Sequence, residues 1–353
     1  MHLLMADHVV FLYSEMAGYF QSCVKALAKA GVQVTVFHWP VNPEAPFKFD
    51  QIDGVEFKDR SQFDTAALTK AVQALQPKAI VTSGWMDKGY TKVVSSFKKR
   101  IPTLLIIDNH WTGSLKLKTL CALSSVKVRD KFTHSWVAGE PQAVYAYKLG
   151  FKNSEILKGF YSADIALFNS FYPKKKELIG QSFPKVFVYV GRYVRHKGIF
   201  EMWEAFSEAN KAHGEEWQLW CLGTGDEYEN RVESANIKHF GFVQPSEMEE
   251  IVSKAGVFVL PSKFEPWGVV VHEFAAAGFP LLLSKAVGAS SHFLESGKNG
   301  MEFDISDLDA FKASFSYFMR LSNGELSQMS ERSHDRGQSI SPQKWVDTLR
   351  PLL

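Results

Sequence analysis

The chain has 353 residues, enough for two domains of roughly 100–200 residues each. With 46% hydrophobic and 22% charged residues it is no disordered chain, and no uncharged apolar run approaches the ~18 residues of a transmembrane helix. The net charge of +2 is too small to argue for nucleic acid, although residues 1–170 carry 20 Lys and Arg against 14 Asp and Glu, and residues 171–353 carry 20 against 24.

In chain order, the apolar run His8 to Tyr13 reads as a buried first strand rather than the core of a leader. Helical spacing of Cys23, Leu27 and Ala30 predicts a helix over 18–30, and a second follows over 63–75. Further strands are expected at 32–37, 79–82, 103–107, 134–138 and 155–158. The turn-forming, charged stretch Tyr172-Pro173-Lys174-Lys175-Lys176, followed by Gln181 to Pro184, sets a domain boundary over 171–185. Strands at 185–190, 217–222, 237–240, 256–260 and 280–283 then alternate with helices over 198–211, 245–254 and 269–277. From about 306 the chain turns helical and polar, and Ser341-Pro342 opens a last helix as cap and first-turn proline. Alternating strands and helices, with strands apolar on both faces, specify an α/β fold of two Rossmann-like domains with parallel sheets. Three scattered cysteines (Cys23, Cys121, Cys221) fit neither a disulfide framework nor a metal knuckle and point to a reducing compartment, the cytoplasm.

Two loops carry the chemistry. Strand 185–190 ends in Gly191-Arg192, and Lys197-Gly198 precedes the next helix. A strand-end glycine lets backbone approach a ligand, and an Arg fork beside a Lys point charge suits a diphosphate; ordinary solvated cations would look the same by spacing alone. Strand 256–260 runs into Pro261-Ser262-Lys263-Phe264-Glu265-Pro266-Trp267-Gly268, then a helix from Val269 that holds Glu273 in its second turn. Free N–H groups of Val269 and Val270 would favour an anion there, and the two carboxylates would accept hydrogen bonds from sugar hydroxyls. Gly223-Thr224-Gly225 lacks the third glycine of a dinucleotide fingerprint and by itself reads as a tight turn. No G-x-S-x-G or H-E-x-x-H occurs, and the eleven histidines have no ligand spacing, so no metal is expected.

Gly191-Arg192…Lys197-Gly198, Cys221 to Gly225, Gly241-Phe242-Val243, Leu260 to Glu273 and Gly278-Phe279-Pro280 stand in the order found in family-4 glycosyltransferases. Residues 185–305 resemble that family closely and the remainder loosely. The resemblance implies the GT-B architecture, two Rossmann-like domains whose parallel sheets face a central cleft. It divides the chain into an acceptor-binding domain over 1–170, a sugar-nucleotide-binding domain over 171–340, and a C-terminal helix over 341–353 packing back on the first domain. It implies a retaining, metal-independent hexosyltransferase that moves a sugar from a UDP- or GDP-linked donor to a glycan or lipid-linked acceptor, in bacterial surface polysaccharide synthesis. Arg192 and Lys197 would hold the diphosphate, Glu265 the donor sugar, Glu273 the ribose, and Phe242 with Val243 the base. In the first half, Gly18 stands in the family's Gly-Gly loop, here reduced to one glycine, and Asp108 or His110 stands where the family places a functional group after a strand. Lys158 to Asp164 looks like its Asn-Gly-Val-Asp segment. Two alternatives use the same diphosphate site, a GT-B-fold sugar-nucleotide epimerase and a non-catalytic sugar-nucleotide-binding protein.

Residues 98–131 interleave Lys98, Lys99, Arg100, Lys116, Lys118, Lys127, Arg129 and Lys131 with Trp111, Leu115, Leu117, Leu120 and Leu123. This pattern suits peripheral contact with an anionic membrane, at the inner face of the cytoplasmic membrane, or a domain whose leucines face inward and whose lysines are merely solvated.

Overall fold

The computed structural model describes residues 7–41, 51–97 and 100–353. Two compact units divide the chain: unit 1 comprises Met1–Ser162 and Ile340–Leu353, and unit 2 is Ala163–Ser339. Unit 1 is built on strands β1 His8–Tyr13, β2 Gln33–His38, β3 Val55–Asp59, β4 Ala79–Thr82, β5 Thr103–Ile107, β6 His134–Val137 and β7 Ile156–Lys158. They form one parallel sheet in the order β3-β2-β1-β4-β5-β6-β7. Unit 2 carries β8 Val186–Val190, β9 Gln218–Leu222, β10 Ile237–Gly241, β11 Val257–Leu260, β12 Leu281–Ser284 and β13 Gly300–Phe303, also all parallel, in the order β10-β9-β8-β11-β12-β13.

Strand alternation divides the unit 1 core between the two sheet faces. Val9, Phe11 and Tyr13 of β1 pack into one cluster, and Val10 and Leu12 into the other. The first cluster also takes in Trp345, whose indole N–H donates to the Phe160 carbonyl at 2.7 Å and whose ring lies 4.6 Å from that of Trp136. Ser341 caps the helix Pro342–Leu349 that carries this tryptophan.

The boundary expected over 171–185 is corrected. A single helix, Ile165–Gln181, runs through most of that stretch with Pro173 inside it, and the first chain crossing lies at Ser162/Ala163. Pro173 cannot donate to the carbonyl of residue 169. The helix persists because Phe168, Phe171, Lys175 and Ile179 are buried at helical spacing. Lys175 hides that period in the sequence. Its ammonium donates to the carbonyls of Ala255 and Gly256 at 2.5 and 3.3 Å and lies over the Phe279 ring, while burial drives its pKa well below the usual lysine range.

Candidate functional site

In unit 2 the strand order reverses between β8 and β11, so the loops leaving their C-terminal ends adjoin. Open α/β sheets bind ligands at this position. The β8 loop runs from Gly191 through a tight turn, Arg195–Lys197, to the helix Ile199–Ala212. The β11 loop runs from Pro261 to Gly268 and opens the helix Val269–Ala276. The Lys263 N–H donates to the His196 carbonyl at 2.8 Å, joining the two loops. Gly198 has φ +69°, and a Cβ there would lie 2.1 Å from the Pro261 carbonyl oxygen, so only glycine permits the approach.

The approach brings Lys197 onto Glu265, where the ammonium pairs with Oε2 and both side chains are largely buried. The buried Ser262 hydroxyl donates to the same carboxylate oxygen at 3.2 Å. The Glu265 backbone is strapped on both sides, its N–H to Ala286 at 3.3 Å and its carbonyl to the Gly288 N–H at 3.0 Å. Gly268 caps the following helix without a side-chain bond, and the first N–H groups, at the half-buried Val269 and Val270, have no intrahelical acceptor. Arg192 is exposed beside this loop, and its carbonyl accepts the Tyr189 hydroxyl at 2.8 Å. Partial burial, then the Lys197 and Arg192 charges, lowers the pKa of His196. The result is a cationic rim around one fixed carboxylate.

Glu273 sits one helical turn further in. Desolvation, reinforced by the charge of Asp164, raises its carboxyl from 4.5 to about 7. Asp164 in turn caps the helix Ile165–Gln181 by accepting the Leu167 N–H at 3.2 Å. The structure therefore brings Gly191, Arg192, Lys197, Glu265, Gly268, Val269 and Val270 onto two adjoining loops and gives the two glutamates contrasting surroundings. Phe242 and Val243 follow β10, two strands from β8, with the Phe242 ring exposed. The Gly223 N–H donates to the Gly241 carbonyl at 2.7 Å, linking that segment to the end of β9. Ser262 was missed in the sequence reading, and its position three residues before Glu265 in a loop was the available signal. His272 is structural: buried, it accepts the Ala163 N–H at 2.9 Å through Nδ1, leaving Nε2–H to donate to the Gly337 carbonyl at 2.8 Å.

In unit 1 the reversal lies between β1 and β4, and Gly18 opens the helix Gly18–Lys29 that follows β1. Asp108 is exposed just beyond β5, where it accepts the Asn109 amide at 3.0 Å, and His110 is half-buried. Tyr19 and Tyr161 make an edge-on ring contact at 5.4 Å. Burial, then the neighbouring charges of Tyr19, Asp108 and Glu15, holds the Tyr161 phenol protonated far above its usual range. The ring contact sets Tyr161 beside Tyr19, which directly follows Gly18, and the charge of Asp108 is felt at Tyr161; sequence reasoning passed over both tyrosines. Among the described residues no three His, Cys, Asp or Glu side chains form a group that could hold a metal, and no helix is long and apolar enough to cross a membrane.

Residues 154–336, just over half of the chain, match the family model of glycosyl transferases group 1. A lipopolysaccharide core biosynthesis glycosyltransferase, LpsE of Rhizobium meliloti, is 27% identical over 153 residues, 41% of this chain and 42% of that protein. Glycogen synthase of Mycobacterium tuberculosis is 28% identical over 138 residues, 37% and 33% of the two chains. The chain thus matches less than half the length of these curated relatives. Among solved structures, sucrose-phosphate synthase of Thermosynechococcus elongatus superposes with a TM-score of 0.71 at 16% identity, covering 98% of both chains. HepE of Anabaena, solved with UDP and glucose, gives 0.71 at 13% identity with the same coverage. These likenesses establish the GT-B fold for the two parallel-sheet units, and the match over the strand-end loops of unit 2 places the chain among the glycosyl transferases of group 1.

Proposed function

We propose that the chain transfers a sugar from a UDP- or GDP-linked donor to a glycan or lipid-linked acceptor, with retention at the anomeric carbon and without a metal ion. The observation that carries the proposal is the Lys197–Glu265 pair, held at the strand-order reversal beside an uncapped helix N-terminus. The bound UDP in HepE and the role of LpsE in lipopolysaccharide core biosynthesis support the donor class and a surface-glycan acceptor.

In this proposal Arg192, Lys197 and the N–H groups of Val269 and Val270 take the diphosphate. As the bond from the anomeric carbon to the phosphate oxygen breaks, negative charge grows on that oxygen and these donors stabilise it without rearranging. The acceptor oxygen then bonds to the anomeric carbon from the face the phosphate leaves, and its proton passes to the departing phosphate. Glu265, fixed by Lys197 and Ser262, orients the hydroxyls of the donor sugar. Glu273 accepts from the ribose hydroxyls, Phe242 and Val243 line the base, Gly18 belongs with the donor-binding residues, and Asp108 or His110 is the catalytic group of unit 1.

The experiment is a thermal-unfolding screen against nucleoside diphosphates, followed by incubation with the matching UDP- or GDP-sugar in excess chelator. A raised midpoint with slow release of nucleoside diphosphate and free sugar supports the proposal. No nucleotide stabilisation, or turnover that needs added magnesium or manganese, overturns it.

A further inference from the structure

We infer that the segment following β5 in unit 1 is a docking surface for an anionic lipid bilayer. The helix Leu115–Ala122 has no buried residue, although its sequence is Leu-Lys-Leu-Lys-Thr-Leu-Cys-Ala. Leu117, Leu120 and Cys121 lean half-buried against the core cluster that holds Tyr145, so part of the interleaved leucine pattern is inward packing. The remainder faces out. Leu115 is 80% exposed, and the chain continues through Leu123 into the short helix Ser124–Lys127, where Val126 is 70% exposed. Three aliphatic side chains in twelve residues are thus left to water, a larger concentration than scattered surface leucines would give.

The charge along this stretch is mostly positive, with the exposed Asp108 and Asp130 at its two ends. Lys116, Lys118 and Lys127 are exposed, and residues 109–129 contain no acidic side chain. Lys148 adds a cation from the adjoining helix Glu140–Lys148, lying over the Trp111 ring and beside Cys121. Arg129 does not contribute, because Glu155 neutralises it with two bonds of 2.9 Å. Lys98 and Lys99 lie outside the described residues. Exposed lysines around protruding aliphatic groups complement anionic headgroups over an acyl boundary. A soluble polyanion would need the lysines alone.

The test is flotation of the full chain with vesicles of phosphatidylcholine, or of phosphatidylcholine mixed with phosphatidylglycerol, at low and high salt. Binding is expected to the mixed vesicles at low salt and to disappear at high salt. Lys116→Gln, Lys118→Gln and Lys127→Gln should each weaken it by up to about fivefold. The double variant Leu115→Ser and Val126→Ser should weaken it at unchanged charge, whereas Lys211→Gln with Lys254→Gln in unit 2 should not. All these positions are exposed, and nucleoside diphosphate binding by the same variants reports separately on the donor site. Failure to bind mixed vesicles at low salt, equal binding to neutral vesicles, or binding indifferent to the Leu115/Val126 change would overturn the inference. Equally tight binding of heparin with that same indifference would assign the surface to a soluble polyanion instead.

Discussion

Lys197 and Glu265 are largely buried, so the attraction between them is offset by the desolvation of both ions, and their pairing matters more for position than for stability. Lys197→Ala removes a charge-assisted donor from the proposed diphosphate site. It should weaken nucleoside diphosphate binding by about 1.5–3 kcal/mol, read by calorimetry on folded protein. Glu265→Gln keeps the shape and the Ser262 contact, so nucleotide affinity should hold while turnover of bound donor falls. Glu273 gives a pH signature. Its carboxyl titrates near 7 in the folded chain and near 4.5 when unfolded, so below about pH 4.5 both states hold the proton and the group contributes its full share of stability. That share is lost as pH rises from 4.5 through about 7, because only the unfolded chain ionises without desolvation. Glu273→Gln should flatten this part of the stability profile in urea titrations. In the parent, the preference for ribonucleotide over deoxynucleotide should grow from pH 6 to pH 8, as the ionised carboxylate is the stronger acceptor; a constant ratio would remove the ribose assignment. The positions of Arg192, Lys197, Glu265 and Glu273 were legible because each stands at a fixed offset from a strand end. The environment of Glu273 was not, because Asp164 reaches it from more than a hundred residues away.

The β8 and β11 loops act together because backbone meets backbone at Gly198 and Pro261. Gly198→Ala must part these loops and with them Lys197 from Glu265. Gly297 offers the contrast, with φ +79° but nothing within 4 Å of a Cβ. Gly297→Ala should cost about 1 kcal/mol through backbone strain alone and leave nucleotide affinity unchanged. Gly198→Ala should cost more and weaken nucleoside diphosphate binding as well; equal losses of stability with unchanged affinity in both would show the loops to be independent. Most elements could be read from the chain because central parallel strands are continuous apolar runs. The strands that escaped, Val55–Asp59 and Gly300–Phe303, are β3 and β13, two of the four edge strands, where one side is unpaired and an apolar run is not required. The helix across Pro173 escaped for the opposite reason, a buried lysine standing where its period calls for an apolar side chain.

At the scale of the molecule, unit 1 is discontinuous: its core is completed by the last fourteen residues, which follow all of unit 2 in the chain. Trp345, Val346 and Leu349 are each at most 1% exposed within that core, against Val9, Phe11 and Trp136 from the first half. Trp345→Ala removes a packed indole and its bond to the Phe160 carbonyl, and should destabilise unit 1 by about 3–5 kcal/mol. Unit 2 has its own sheet, its own core and the proposed donor site, so the loss should not spread evenly. Thermal unfolding of the variant should separate into two transitions. The earlier one would belong to unit 1, and nucleoside diphosphate would raise only the later one, because a ligand stabilises the unit that binds it. Limited proteolysis between the two midpoints should cut residues 7–162 and spare 163–339. A single transition that nucleotide raises as a whole would instead show that the two units unfold as one cooperative body despite their separate cores.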